Sequence, residues 1–238
     1  MPKSRNATPK EAVSLLDDIT KRGAEIRVRL RELLLRHEYP GDRKTCVLSA
    51  FVDVALEHHE AIWLLKKSEL TGYAFAMVRS VFDSLFRALW INKVATEAQI
   101  EQASRDELEF PRMGKLCEDI KESYREPSEP DQPELLDSLL GRLKKTWRVL
   151  CSYTHSGGRQ LERRFTFHEV KPRYNHGEIT EALNLASIAL MLLLRMFFVS
   201  MRCTEEADET RTMLVQYSTD FTERLVAAQN PASDSHYR

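Results

Sequence analysis

Arg148, Ser152 and His155 stand at i, i+4 and i+7 within the run LLDSLLGRLKKTWRVLCSYTHSGGRQ, residues 135–160. On a helix of ~3.6 residues per turn, positions seven apart are nearly in register, so a guanidinium, a hydroxyl and an imidazole share one strip. An imidazole gives or takes a proton near neutral pH. A planar guanidinium stabilises negative charge that builds on phosphate-type oxygens in a transition state. Together they suit acid–base chemistry at a phosphodiester without a metal. No glycine-rich phosphate loop, HExxH pair or GxSxG elbow offers another chemistry.

The strip needs a helix to carry it. Leu135, Leu136, Leu139, Leu140, Leu143, Trp147, Leu150 and Cys151 recur at helical spacing and form an apolar stripe beside it. Gly157 and Gly158 supply the permissive φ that ends a helix. His155 then sits in or next to the last turn, where the helix dipole favours the protonated ring. The helix at about 73–95 is apolar on most of its circumference, so it is buried, yet it carries Arg79, Asp83 and Arg87 four apart. Charges on a central helix are paired or used. Arg79 and Asp83 are therefore expected to face the Arg148/His155 strip, with Asp83 orienting the imidazole or pairing with Arg148. A bare i,i+4 ladder is the plainer alternative.

The remaining elements follow the same periodicity. Thr8, Pro9 and Glu11 read as the start of a helix reaching about His37, with Gly23 at a bend. A second helix spans about 44–68. Its His58-His59 pair points in directions about 100° apart, which favours a structural role over metal binding. A polar helical region at 98–124 breaks near Phe110-Pro111. The segment Glu126 to Glu134, with its three prolines, is read as a loop. After Gly158, the stretch RQLERRFTFHEVKPRYNHGE brings Arg159, Gln160, Arg163 and Arg164 close behind His155. These four are candidate phosphate or RNA contacts, as a clamp over an anion, against the alternative of a surface loop. Phe165, Phe167 and Val170 suggest a short extended segment. The most apolar helix, about 178–203, is interrupted by Arg195 and reads as a central bundle helix rather than a membrane span. A last amphipathic helix covers about 208–228.

Composition supports one all-α domain. Glycine is scarce, with 8 in 238 residues, and no sustained alternation of Val, Ile and Thr marks strands. Residues 8–228 read as a single helical domain, an up-and-down bundle, between disordered ends at 1–7 and 229–238. Net charge is −1, which excludes a polycation that coats nucleic acid indiscriminately. Basic residues nevertheless dominate from Arg142 to Arg173, and acidic ones from Glu97 to Asp137. The basic strip attracts a phosphate backbone, unless the two faces merely cancel. Cys46, Cys117, Cys151 and Cys203 show no zinc-type spacing and read as reduced thiols, so no metal or other cofactor is expected. The polar N-terminus shows no secretory h-region, and a cytoplasmic location is expected.

The spacing R-VLCSYT-H resembles the signature of the HEPN superfamily, in which an Arg is followed after four to six residues by a His near a helix end. The wider run SYTHSGGRQLERR, with AMVRSVFDSLFRALW upstream, is similar to a bacterial branch of that superfamily, over about 48–199. The resemblance implies an HEPN-like helical bundle with extra N- and C-terminal helices. It implies a metal-independent endoribonuclease, of the kind found among toxins and antiphage effectors, with Arg148 and His155 catalytic. Arg79, Asp83 and Ser152 are supporting residues, the first two because an Arg followed four residues later by an acid recurs on the matching helix. A homodimer that brings two such helices together, and an antitoxin or other partner protein, are further implications. Many relatives have lost activity, so two alternatives stand beside the enzyme: a non-catalytic RNA- or nucleotide-binding module, and a helical interaction protein in which His155 is only a helix-terminal residue.

Overall fold

The computed structural model describes residues 9–124, 132–155, 157–165 and 169–229. Among these the fold is all-α, with nine helices and no strand. They are α1 (Pro9–Leu34), α2 (Arg43–Lys67), α3 (Thr71–Lys93), α4 (Glu97–Ser104), α5 (Met113–Ser123), α6 (Gln132–Thr154), α7 (Gly158–Glu162), α8 (His176–Ser200) and α9 (Thr204–Gln229).

Two helices form the centre, and both are the ones whose apolar residues run all round. α3 packs against α2, α5, α6 and α8, and α8 packs against α1, α2, α3 and α9. Phe82, Phe86, Phe197 and Phe198 are fully buried where they meet the core. α8 is long and apolar enough to cross a bilayer, with a window of mean hydropathy 2.1, but 72% of that window is buried inside the chain's own bundle. Its apolar side chains are used against neighbouring helices.

Helix starts are chosen by side-chain caps. Asp42 accepts from the Thr45 N–H at the head of α2, and Thr96/Gln99 and Asn175/Glu178 form capping boxes on α4 and α8. Helix ends use non-glycine residues in the left-handed region: Glu69 (φ 60°), Asp106 (φ 58°) and Arg202 (φ 59°). After each, the next N–H reaches back five residues to a carbonyl, as in Leu70 N to Leu65 O at 2.8 Å and Cys203 N to Phe198 O at 2.9 Å.

Several expectations need correction. α1 runs unbroken through Gly23, where a Cβ would lie 2.0 Å from the Trp63 ring, so this glycine admits a packed indole rather than a bend. α6 starts at Gln132, three residues before the predicted helix, because Pro133 falls in the first turn, where its missing N–H costs nothing. Gly158 opens a short helix, α7, in place of the expected loop. The extended segment is a single bridge between Phe165 and Val170. Thr8, the predicted cap of α1, and both predicted disordered ends, save Gln229, lie outside the described residues, as do Phe167 and Ser156.

The candidate site at the end of the sixth helix

α3 and α6 lie side by side, and their contacts define a polar cluster at the edge of the core. His155, exposed just past the end of α6, meets Arg79 of α3: Arg79 Nη1 and His155 Nε2 are 2.8 Å apart. A guanidinium has only donors, so Nε2 accepts and the ring proton sits on Nδ1. Arg79 is itself fixed from two sides. Its Nε lies 3.4 Å from Asp83 Oδ2, and its guanidinium carbon stands 5.1 Å over the Trp147 ring. Trp147 Nε1–H in turn donates to Asp83 Oδ1 at 2.6 Å. The result is a closed set in which Asp83 and Trp147 hold Arg79, and Arg79 holds His155.

Asp83 thus contacts neither the imidazole nor Arg148 in these bonds, contrary to the two roles expected of it. The reason is helix geometry. Steps of four residues drift by ~40°, so Arg79, Asp83 and Arg87 fan out rather than stack. Arg79 faces α6, Asp83 sits between, and Arg87 turns away to cover the Phe110 ring at 4.8 Å. On that far side a cleft of about 500 Å³ opens between α2, α3 and the α4–α5 connection, walled by Phe51, His58, Asp83, Arg87 and Phe110. Asp83 therefore borders both the His155 cluster and the cleft. Nothing in the sequence marked the cleft, because its walls come from three separate segments.

Arg148 lies exposed on α6. Its charge reaches the neighbouring Cys151, whose thiol is pushed up chiefly by burial, against the lowering effect of Arg79 and the weaker one of Arg148. A thiol raised in this way is a poor nucleophile. Ser152 is half-buried and is pinned by the end of the helix: Gly157 N donates to Ser152 O at 2.7 Å, and a Cβ on Gly157 would lie 2.6 Å from Ser152 Oγ. Gly157 is required by this close approach. No described glycine has positive φ, so the expected role of Gly157 and Gly158 in supplying one is not what ends α6.

The four candidate phosphate contacts separate. Arg163 is ion-paired with Glu178, the residue that closes the capping box of α8. Arg164 and Gln160 lie over the start of α3: a Cβ at Gly72 would come within 2.8 Å of Tyr174 Oη, 3.1 Å of Arg164 Nη2 and 3.5 Å of Gln160 Nε2. Tyr174 completes an aromatic trio with Phe75 and Tyr153, at 5.3 Å and 6.4 Å between centroids. These residues fasten the segment after α7 to the bundle, at the opening turns of the helix that carries Arg79. Arg159 falls in α7, with its side chain outside the described residues.

The other striplike signal, His58-His59, resolves as structure. His59 is fully buried, accepts from Trp63 Nε1 at 3.2 Å and faces Ser187 Oγ at 3.0 Å. Burial, with Arg27 nearby, pushes its pKa down to about 3.

A family description matches residues 52–223, which include every residue of the His155 cluster: Family of unknown function (DUF6988). The chain belongs to the DUF6988 family. No curated protein and no solved structure matches it. The matched span runs from the middle of α2 into α9, so α3 and α6, which build the cluster, lie wholly within the family's shared region.

Proposed function

We propose that the chain is a HEPN-like, metal-independent endoribonuclease centred on His155. The observation that carries the reading is the Arg79–His155 contact of 2.8 Å at an exposed helix end. It puts a fixed cation and an imidazole on one spot, facing solvent, with Arg148 exposed on the same helix.

In this reading the incoming phosphodiester draws Arg79 away from Nε2. The guanidinium, still anchored by Asp83 and Trp147, then binds a non-bridging oxygen, and the freed Nε2 lone pair takes the proton of the ribose 2′-OH. The 2′ oxygen attacks phosphorus, the bond to the 5′ oxygen breaks, and the departing 5′ oxygen takes a proton from solvent while the exposed His155 imidazolium gives its own back to solvent, so that a 2′,3′-cyclic phosphate and a 5′-hydroxyl result. Arg148 adds a second positive charge for the phosphorane-like transition state. A base next to the cleaved phosphate enters the cleft beside Asp83. The resemblance further implies that two copies of the chain pair; Val149, Leu161 and Phe165, at 38%, 53% and 57% exposure, offer apolar surface for such a pair to cover.

A second reading, a non-catalytic RNA-binding module, is favoured by one specific fact: in the free chain Arg79 occupies the nitrogen that a base would need. Incubation of labelled single-stranded RNA with the protein in EDTA distinguishes the two. The enzyme reading expects cleavage by wild type and none by His155→Ala or Arg148→Ala. Intact RNA in all samples, with a retarded band on a native gel, replaces it with the binding module. Intact RNA without retardation contradicts both.

A further inference from the structure

At the other end of the molecule, three metal-ligating side chains from two distant parts of the chain converge. His37 follows α1, Cys203 caps the head of α9, and Glu206 lies in its first turn. One donor atom from each, a ring nitrogen, Sγ and a carboxylate oxygen, lie within 4.8 Å of one another. His37 Nε2 and Glu206 Oε1 are 2.9 Å apart. From Glu178 to its last residue, Ser200, α8 runs for roughly 33 Å at about 1.5 Å per residue, which sets this group apart from the Arg163–Glu178 pair. The group plays no part in the His155 chemistry.

We propose that His37, Cys203 and Glu206 form a binding site for a zinc-type divalent transition metal. The donor set selects this class. A thiolate excludes calcium and magnesium, which take oxygen ligands, and imidazole, thiolate and carboxylate are the three protein ligands that zinc accepts. Three protein ligands leave one coordination position open to water or another ligand.

The fold prepares the arrangement in advance. Cys203 is fixed by its N–H bond to Phe198 O at 2.9 Å, after Arg202 turns the chain, and its own carbonyl accepts from Ala207 N at 3.0 Å. The spacing of Cys203 and Glu206 puts both on the opening turn of α9, and Glu206 is buried, 4% exposed. His37 is half exposed, which gives an ion a way in. Tyr39 adds an independent sign of an unfilled polar spot. Its hydroxyl is buried without a hydrogen-bond partner.

The competing occupant of Glu206 is Arg36. Its Nη1 lies 3.6 Å from Glu206 Oε1 but only 3.2 Å from Glu209 Oε2. An arriving cation therefore leaves Arg36 its better-placed carboxylate. Bound metal would tie the end of α1 to the α8–α9 corner, elements that the sequence separates by more than 160 residues.

The test titrates Co²⁺ into the full-length protein after EDTA has been removed. One equivalent is expected to produce a thiolate-to-cobalt charge-transfer band, which Zn²⁺ then displaces. Cys203→Ser abolishes the band, Cys46→Ser and His155→Ala retain it, and His37→Ala weakens zinc binding by about tenfold or more. His37 is exposed, so its variant folds even where a Glu206→Gln variant does not; circular dichroism checks each. Absence of the band in wild type, its survival in Cys203→Ser, or unchanged zinc affinity in His37→Ala overturns the proposal.

Discussion

Replacing Asp83 by Ala removes the acceptor that holds Trp147 and the partner that steadies Arg79. The structure sets the expected loss. A hydrogen bond to a charged acceptor contributes about 1.5–3 kcal/mol, and the Trp147–Asp83 bond of 2.6 Å belongs at the lower end, because the Asp83 side chain is 24% exposed. The Arg79–Asp83 pair at 3.4 Å, four residues apart and partly exposed, contributes no more than about 0.5 kcal/mol. The sum for Asp83→Ala is about 2 kcal/mol, which in a chain of 238 residues lowers Tm by about 4–8 °C. The assay is urea unfolding at 25 °C of wild type, Asp83→Ala, Trp147→Phe and the double variant. The cycle isolates the Trp147–Asp83 term, with an expected coupling of about 1–2 kcal/mol and an unchanged m-value. A coupling below about 0.5 kcal/mol would mean that Asp83 does not hold Trp147 and that the closed set behind Arg79 does not exist.

Three further outcomes follow from the same geometry. His59 takes up a proton at about pH 6.5 in the unfolded chain but only near about 3 when folded. Below pH 6.5 the unfolded state therefore binds more protons and stability falls, by about 2–3 kcal/mol between pH 6.5 and 4.5; urea midpoints measured across that window check it, and a His59 ring seen by NMR to titrate above pH 5 contradicts it. Gly157→Ala forces a methyl group to within 2.6 Å of Ser152 Oγ and 3.1 Å of its Cα, so it displaces the end of α6 and costs about 1–3 kcal/mol; a variant of wild-type stability would show that the approach is slack. Glu69→Gly relieves a left-handed residue at φ 60° and raises stability by about 0.5–1 kcal/mol, read from the same unfolding curves.

The helices whose apolar residues run all round, α3 and α8, were legible because burial on every side leaves a composition signature that needs no knowledge of partners. The same holds for the stripe of α6 and for His155 at its end. What spacing within one helix cannot show is the register between two. His155 and Arg148 share a face of α6, yet the guanidinium on the imidazole belongs to Arg79, placed there by the way α3 lies against α6. Trp147 read as a core residue, and its indole N–H gave no hint that it would bind Asp83 across the helix pair. Arg163 and Arg164 read as free cations because Glu178 and Tyr174, their neighbours in space, stand ten or more residues further on. The His37, Cys203 and Glu206 group was invisible for the same reason, since no local spacing records a convergence of two distant parts of the chain.

The ribonuclease reading stands or falls on the chemistry of the RNA ends left by the protein in EDTA. An oligoribonucleotide and its 2′-O-methyl counterpart are incubated with wild type and His155→Ala, and the fragments are weighed by mass spectrometry. Wild type alone is expected to leave 2′,3′-cyclic phosphate and 5′-hydroxyl ends on the ribonucleotide, with no cleavage of the methylated strand. Cleavage of the methylated strand, 5′-phosphate ends, or undiminished cutting by His155→Ala would contradict that reading.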